Sequence, residues 1–178
     1  MITLTETLAV RTVPGFLDPK EISGLTALLD DHLATTGWRP VYVGEVLDDL
    51  PARVPEVLGS AVAGHLPEIR QMFPSAVGAS PWQFIETGPG DGVWDKRRDA
   101  GPHAGYEPGM RFTRIAPHGK ISCGERGTSW IHTVTGSPRF LPADTGTATV
   151  YGAQLIHGIN PVHQGRCRKF ITGLTSGR

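Results

Sequence analysis

The chain has little cysteine and no long apolar run. Its 178 residues include two cysteines, Cys123 and Cys167, whose spacing fits neither a CxxC motif nor a disulfide framework. No apolar stretch approaches the length of a membrane span, and the first residues lack the basic start and apolar region of a secretory signal. These absences lead us to expect a cytoplasmic protein with no membrane partner.

The formal net charge of the chain is zero at pH 7. Seventeen Lys and Arg residues balance 17 Asp and Glu residues, so no excess of positive charge indicates a nucleic-acid partner. The sequence contains no G-x-S-x-G nucleophile motif, no phosphate-binding loop and no dinucleotide-binding fingerprint. We therefore expect no nucleic-acid partner, and a homodimer stays open.

Glycine and proline, in contrast, are abundant. The chain holds 23 Gly and 15 Pro, which favours many turns between short strands over a helical bundle. The length predicts one domain over residues 1–178. Within it we expect a helical support region over residues 1–80 and a strand-rich core over residues 81–178.

Two helices are predicted in the first 80 residues. The first begins after Asp18, because a capping aspartate is followed by Pro at the first helical position and by Glu three residues after the cap. Gly37 ends this helix. The second is predicted over Pro55 to Phe73, with Pro67 able to kink or split it. The apolar face of the first helix has three- and four-residue spacing and consists of Ile22, Leu25, Leu29 and Leu33.

Short apolar strands separated by turns follow from Trp82 onwards. Two helices followed by about seven or eight strands predict a mainly β protein, with helices packed on one face of a β-sandwich. The candidate strands are Trp82–Thr87, Arg111–Ile115, Trp130–Thr135, Arg139–Leu141, Thr147–Tyr151, His157–Val162 and Lys169–Leu174.

The last quarter of the chain carries the clearest chemical signal. A short apolar strand is followed by His157, by an alternating stretch, and nine residues later by Arg166 and a final strand. An imidazole can bind a metal, and a guanidinium can hold a carboxylate through two hydrogen bonds. Arg168 and Arg166 alternate with Cys167, so both arginines should point to the same side of the strand.

This layout resembles the C-terminal half of the core of the Fe(II)/2-oxoglutarate-dependent oxygenases, over roughly Trp82 to Leu174. The phrase VPGFLDPKEISGL also resembles the start of their prolyl-hydroxylase-like members. The resemblance implies a double-stranded β-helix (jelly roll, cupin-like) with two N-terminal helices. It also implies that His157 is the distal metal ligand, and that Arg166, with Arg168 as the second candidate, binds the carboxylate of 2-oxoglutarate. The implied activity is hydroxylation or a related oxidative change of a small molecule in specialised metabolism.

The proximal half of that family's metal motif is broken in this chain. No H-x-D or H-x-E pair occurs anywhere in the sequence. In 97–99 an arginine stands where the His belongs, and in 103–105 a glycine stands where the carboxylate belongs. We expect His157, His103 and Asp99 to be the iron ligands, with Glu107 as an alternative to Asp99. The segment 123–125 (Cys-Gly-Glu) lies too close to His157 to fit well.

The broken motif leaves other functions open. The His-x-Gly pattern resembles the halogenases of the family, in which a missing carboxylate opens a coordination site, and it also resembles decayed members that bind no iron. The second hypothesis is therefore a metal-free cyclase, isomerase or binding protein that uses the same cavity. Arg111 is a weaker anion-binding candidate, and candidates for the cavity wall are His132, Trp82, Trp94, Tyr106, Trp130 and Tyr151.

Overall fold

The computed structural model describes residues 4–41, 45–88, 94–97, 113–115, 129–132, 138–140, 144–152, 155, 157–159 and 166–176. Helices and strands alternate first, and strands follow to the end of the chain. The elements are α1 (Leu4–Thr7), β1 (Val10–Val13), α2 (Pro19–Thr36), α3 (Arg53–Ile69), β2 (Ala76–Ala79), β3 (Gln83–Thr87), β4 (Trp94–Arg97), β5 (Thr113–Ile115), β6 (Ser129–His132), β7 (Pro138–Phe140), β8 (Ala148–Gly152), β9 (His157–Ile159) and β10 (Cys167–Ser176).

Helix α2 begins and ends at the predicted residues. The side chain of Asp18 accepts a hydrogen bond from the backbone N–H of Glu21 at 2.7 Å, and Glu21 Oε2 accepts one from the N–H of Asp18 at 2.8 Å. This reciprocal cap satisfies two N–H groups that the helix itself cannot. Gly37 ends the helix in the left-handed region, at φ 69°, and its N–H bonds to the carbonyl of Leu33. The first predicted helix is confirmed.

Helix α3 is shorter than predicted. It begins at Arg53 and ends at Ile69, so Pro67 lies in its last turn. The chain still turns as far as Phe73, whose N–H bonds to the carbonyl of Ile69 at 3.0 Å. Pro74 disfavours a helical conformation at Phe73, which explains why regular helix does not reach the predicted end.

The strands form two antiparallel sheets. The major sheet has the order β1-β8-β5-β10-β2, with β3 also paired to β10, and the minor sheet has the order β4-β9-β6-β7. Each of the seven strands predicted from Trp82 onwards overlaps an observed strand. The mainly β architecture with flanking helices is confirmed. Strands β1 and β2, from the first 80 residues, extend the major sheet on both sides.

The two faces of the major sheet pack against different partners. The outer face is covered by α2 and α3, and its core includes Leu29, Leu58 and Phe84. The inner face is the opposite one. On it, Tyr151 of β8 belongs to a buried cluster with Ile131 of β6, a strand of the minor sheet. Alternation along a strand therefore assigns each residue of the major sheet to one of these two faces.

None of the helices among the described residues combines the length and the apolar character that crossing a membrane requires.

Candidate functional site

Strand β10 separates its basic residues onto opposite faces. Phe170 lies opposite Phe84 of β3, with ring centroids 5.6 Å apart, and both belong to the outer core. Ile171 packs instead with Ile85 in a separate small cluster. Because neighbours alternate, Arg168 shares the outer face with Phe170, and Lys169 shares the inner face with Ile171.

On the outer face, a carboxylate of β3 holds both arginines. Arg168 Nε donates a hydrogen bond to Glu86 Oε2 at 2.6 Å, and Arg168 Nη1 bonds to Asp30 Oδ1 of α2 at 2.5 Å. Arg166 pairs with the other oxygen of Glu86. The Glu86 side chain is only 4% exposed, so this burial is stable because both of its oxygens are occupied by cations.

The pKa of Arg168 shows how strongly the group is held as a cation. Burial acts to lower this pKa, but hydrogen bonds from Arg168 to Asp30 and Glu86, together with their negative charges, raise it above its ordinary value. Arg168 therefore stays a cation throughout the accessible pH range.

Arg166 and Arg168 make contacts on the outer face, and their role in binding 2-oxoglutarate stays a prediction. The alternation placed them on one side of the strand, and they do share a partner. That partner is Glu86 on the outer face. The physical reason is that the even-numbered side of β10 is the side covered by the apolar face of α2.

Lys169 is the basic residue that the sequence analysis missed. It lies directly opposite Ile85 in the β3–β10 ladder, and it is 3% exposed. Cys167 and Thr87 form the next inner pair along the same two strands, and both are buried. The alternation of side chains along the strand could have identified it, since Lys169 is two residues from Ile171 and therefore lies on the face opposite to that of the two arginines.

Strand β8 contributes hydroxyl groups to the inner face. Thr149 alternates with Val150 of the outer core and shares its side with Tyr151. Its cross-strand neighbour on β1 is Thr12. Thr149 is 0% exposed, and its Oγ1 has no hydrogen-bond partner in the described part of the chain.

The predicted metal ligands are only partly placed by the structure. His157 begins β9, where its backbone pairs with that of Arg97 on one side and Ile131 on the other. His103 and Asp99 lie outside the described residues, so their roles stay predictions, as does that of His157. No group of three or more His, Cys, Asp or Glu side chains that could hold a metal ion occurs within the described ranges.

The structure places the weaker candidate residues in different parts of the fold. Tyr151 is buried on the inner face, whereas Trp82 belongs to the outer core and so does not line an inner cavity. Trp94, Trp130 and His132 lie in strands β4 and β6 of the minor sheet. The remaining candidates lie outside the described residues: Gly105, Tyr106, Glu107, Arg111, Cys123 and Glu125.

Comparison with known proteins yields matches in structure only. No protein-family model and no curated protein sequence matches the chain. A prolyl-4-hydroxylase from Pseudomonas putida superposes with a TM-score of 0.70 at 13% identity, covering 94% of this chain and 93% of that one.

Two further solved structures are similar to a comparable degree. The α-ketoglutarate-dependent carbocyclase SnoK from nogalamycin biosynthesis has a TM-score of 0.67 at 10% identity, covering 96% of this chain and 80% of its own. HygX from Streptomyces hygroscopicus, with nickel and 2-oxoglutarate bound, has a TM-score of 0.66 at 12% identity, with coverages of 97% and 85%. The resemblance to the Fe(II)/2-oxoglutarate-dependent oxygenase superfamily is therefore confirmed at the level of the fold.

Proposed function

We propose that this protein is an oxygenase of the 2-oxoglutarate type that acts on a small molecule, and that its two sheets form the double-stranded β-helix of that superfamily. In this proposal residues 1–178 are one domain, with residues 1–80 supporting a jelly-roll core over residues 81–178. The fold shared with SnoK and HygX supports the class of reaction.

The observation that carries the proposal is Lys169, a cation buried on the inner face of the major sheet. A buried ammonium group is stable only beside hydrogen-bond acceptors or an anion. Lys169 already takes part in an interaction within the protein, and its three N–H donors can bind the carboxylate of a small acid in addition. Apolar neighbours such as Ile85 and Ile171 would keep water away from the bound carboxylate and so strengthen its contact with Lys169. We assign to Lys169 the carboxylate-binding role that the sequence analysis gave to Arg166.

We propose that His157, His103 and Asp99 would bind iron(II), because two imidazoles and one carboxylate are the usual donors of non-haem iron sites. When bound, iron with 2-oxoglutarate would supply the oxidising chemistry. The described residues fit this group incompletely. Of the three donors they include His157 alone. One of the two residues whose backbone pairs with that of His157 is Arg97, a residue type that carries a permanent charge and has no hydrogen-bond acceptor.

That pairing favours a second candidate function. If the proximal donors are truly lost, the same inner face would serve a metal-free cyclase, isomerase or binding protein, and Lys169 would still hold an acid. The two functions therefore share the acid-binding step and differ in whether a metal and oxygen consumption accompany it.

Anaerobic titration calorimetry tests the proposal. The wild-type protein should bind 2-oxoglutarate, and Lys169→Met should weaken this binding roughly ten- to hundredfold, since a hydrogen bond to a charged group contributes about 1.5–3 kcal/mol. Lys20→Met, on the exposed first turn of α2, is the matched control and should bind as the wild type does.

Measuring with and without Mn(II), and then assaying succinate release in air with Fe(II), separates the two functions. Metal-dependent binding with turnover supports the oxygenase, and metal-independent binding without turnover supports the second candidate. Equal affinity of Lys169→Met and wild type would remove Lys169 from the site.

A further inference from the structure

Glu86 is the centre of a charge cluster that joins three elements of the fold. Its two carboxylate oxygens pair with Arg166 and Arg168, and Arg168 continues to Asp30 of α2. We call these four residues the Glu86 clamp. The carboxylate is almost fully buried, while Asp30 and Arg166 are each about half exposed, with 52% and 47% of their side-chain surface accessible.

The clamp holds the segment that presents Lys169. Arg166 and Arg168 flank Cys167, the first residue of β10, and Lys169 follows at once. One carboxylate on β3 therefore restrains two of the three residues that precede the lysine. In this ladder Arg168 lies opposite Glu86, and Lys169 lies opposite Ile85.

Register decides which cation lies on the inner face. Because side chains alternate between the faces of a sheet, a shift of one residue in β10 would turn every side chain to the other face. Lys169 would then leave the inner face, and Arg168 would enter it. In the observed register Arg168 lies opposite Glu86 and forms a salt bridge with it, and the contact of Arg168 with Asp30 ties that register to α2.

We propose that Glu86 is a positioning residue for ligand binding, which acts through β10 by keeping Lys169 on the inner face. This inference rests on the proposed function, in which Lys169 binds the carboxylate of a small acid. Glu86 itself touches no ligand, because it lies on the outer face.

The direction in which replacing Glu86 changes the affinity for 2-oxoglutarate distinguishes a positioning role from two simpler explanations. A purely electrostatic role would make Glu86 repel an anionic ligand, so its neutralisation would tighten binding. A direct role of Arg166 and Arg168 in acid binding predicts the same, since loss of Glu86 would release them. Positioning predicts weaker binding, because Lys169 would spend less time in the bound geometry.

The experiment compares Glu86→Gln with Glu68→Gln by calorimetric titration of 2-oxoglutarate, under the anaerobic conditions in which the wild type binds it. Glutamine keeps the size of the side chain but removes the charge and one acceptor. Glu68 is the control, because it forms another ion pair between a helix and the outer face of the sheet, with Arg11 at 2.6 Å. We expect Glu86→Gln to weaken binding about tenfold and Glu68→Gln to leave it unchanged.

A double-mutant cycle with Lys169→Met tests whether Glu86 acts through the lysine. If it does, Glu86→Gln has little further effect once Lys169 has been replaced, so the two losses are not additive. Additive losses, unchanged affinity in Glu86→Gln, or tighter binding would each overturn the inference while leaving the role of Lys169 intact.

The inference can still be tested if Glu86→Gln is unstable, and it also depends on the binding of 2-oxoglutarate to the wild type. If Glu86→Gln does not fold, Arg166→Gln replaces it, since Arg166 is half exposed and makes only one of the contacts in the clamp. We expect Arg166→Gln to bind 2-oxoglutarate about threefold more weakly than the wild type. The double variant with Lys169→Met should bind it no more weakly than Lys169→Met alone. If the wild type binds no 2-oxoglutarate, or if Lys169→Met binds it normally, the proposed function fails first and the inference falls with it.

Discussion

Arg97 and His157 are direct backbone partners in the antiparallel pairing of β4 with β9. The chain therefore brings an arginine to the position beside its predicted distal metal ligand. Arg97 is also the first residue of the segment 97–99, in which the sequence has Arg where a proximal His would stand. The register thus links the two halves of the broken motif across neighbouring strands.

Metal binding should depend on His157. His157→Ala removes a nitrogen donor and should abolish stoichiometric binding of Mn(II), measured by anaerobic calorimetry. His65→Ala, in α3 on the outer side of the sheet, is the control and should bind Mn(II) as the wild type does. Full occupancy in His157→Ala would exclude His157 from the site.

Two gain-of-function substitutions show which half of the motif was lost. Arg97→His would complete an H-x-D pair with Asp99, and Gly105→Asp would complete one with His103. We expect one of them to tighten Mn(II) binding, because each restores a donor. Tighter binding in Arg97→His supports the pairing of Arg97 with His157 as the vestige of the metal site. No binding by either variant or by the wild type would exclude iron and favour the metal-free function.

The buried hydroxyl of Thr149 should cost the ligand-free protein stability. Its Oγ1 has no partner within the described ranges, and burying an unsatisfied hydroxyl costs about 1–3 kcal/mol. Thr149→Val should therefore leave the free energy of unfolding unchanged or raise it. Urea unfolding followed by circular dichroism measures this.

The comparison for Thr149 is Thr172→Val. Thr172 is also a buried strand threonine, but its Oγ1 donates a hydrogen bond to the carbonyl of Ser80 at 2.6 Å. Its replacement should lower the free energy of unfolding by about 1 kcal/mol or more. If both variants lose equal stability, an ordered partner satisfies Thr149 after all.

Gly152 should tolerate no side chain. A Cβ atom at this position would lie 1.9 Å from the carbonyl oxygen of Thr7 and 2.1 Å from its carbonyl carbon, because the last residues of α1 pack against the end of β8. Gly152→Ala should destabilise the protein by about 1–3 kcal/mol or more, measured as the midpoint of urea unfolding.

Gly24→Ala should stabilise the protein, in contrast to Gly152→Ala. Gly24 lies in α2, and nothing comes within 4 Å of an added Cβ there. Alanine should raise the free energy of unfolding by about 0.5–1 kcal/mol, because it favours the helix and loses less backbone entropy. A similar loss in both glycine variants would contradict the close approach at Gly152.

The sequence alone determined the elements whose signals are local. Asp18, Glu21 and Gly37 define both ends of α2, since caps depend on neighbouring residues and their own backbone. Strands β3 and β10 were predictable from short apolar runs between turns. Strands β2 and β4 were not predicted, because four-residue strands with sequences such as Ala-Val-Gly-Ala carry almost no local pattern and form by pairing with a distant strand.

Only the tertiary structure decided which face of β10 looks inward. Alternation along the sequence placed Arg166 and Arg168 on one side and Lys169 on the other, but both sides carry apolar residues, so the pattern is symmetric. The packing of α2 breaks this symmetry, since its leucines cover the face of Phe170 and bring Asp30 to Arg168. A local sequence pattern encodes the period of a strand, whereas the direction of its faces depends on contacts between residues more than a hundred positions apart.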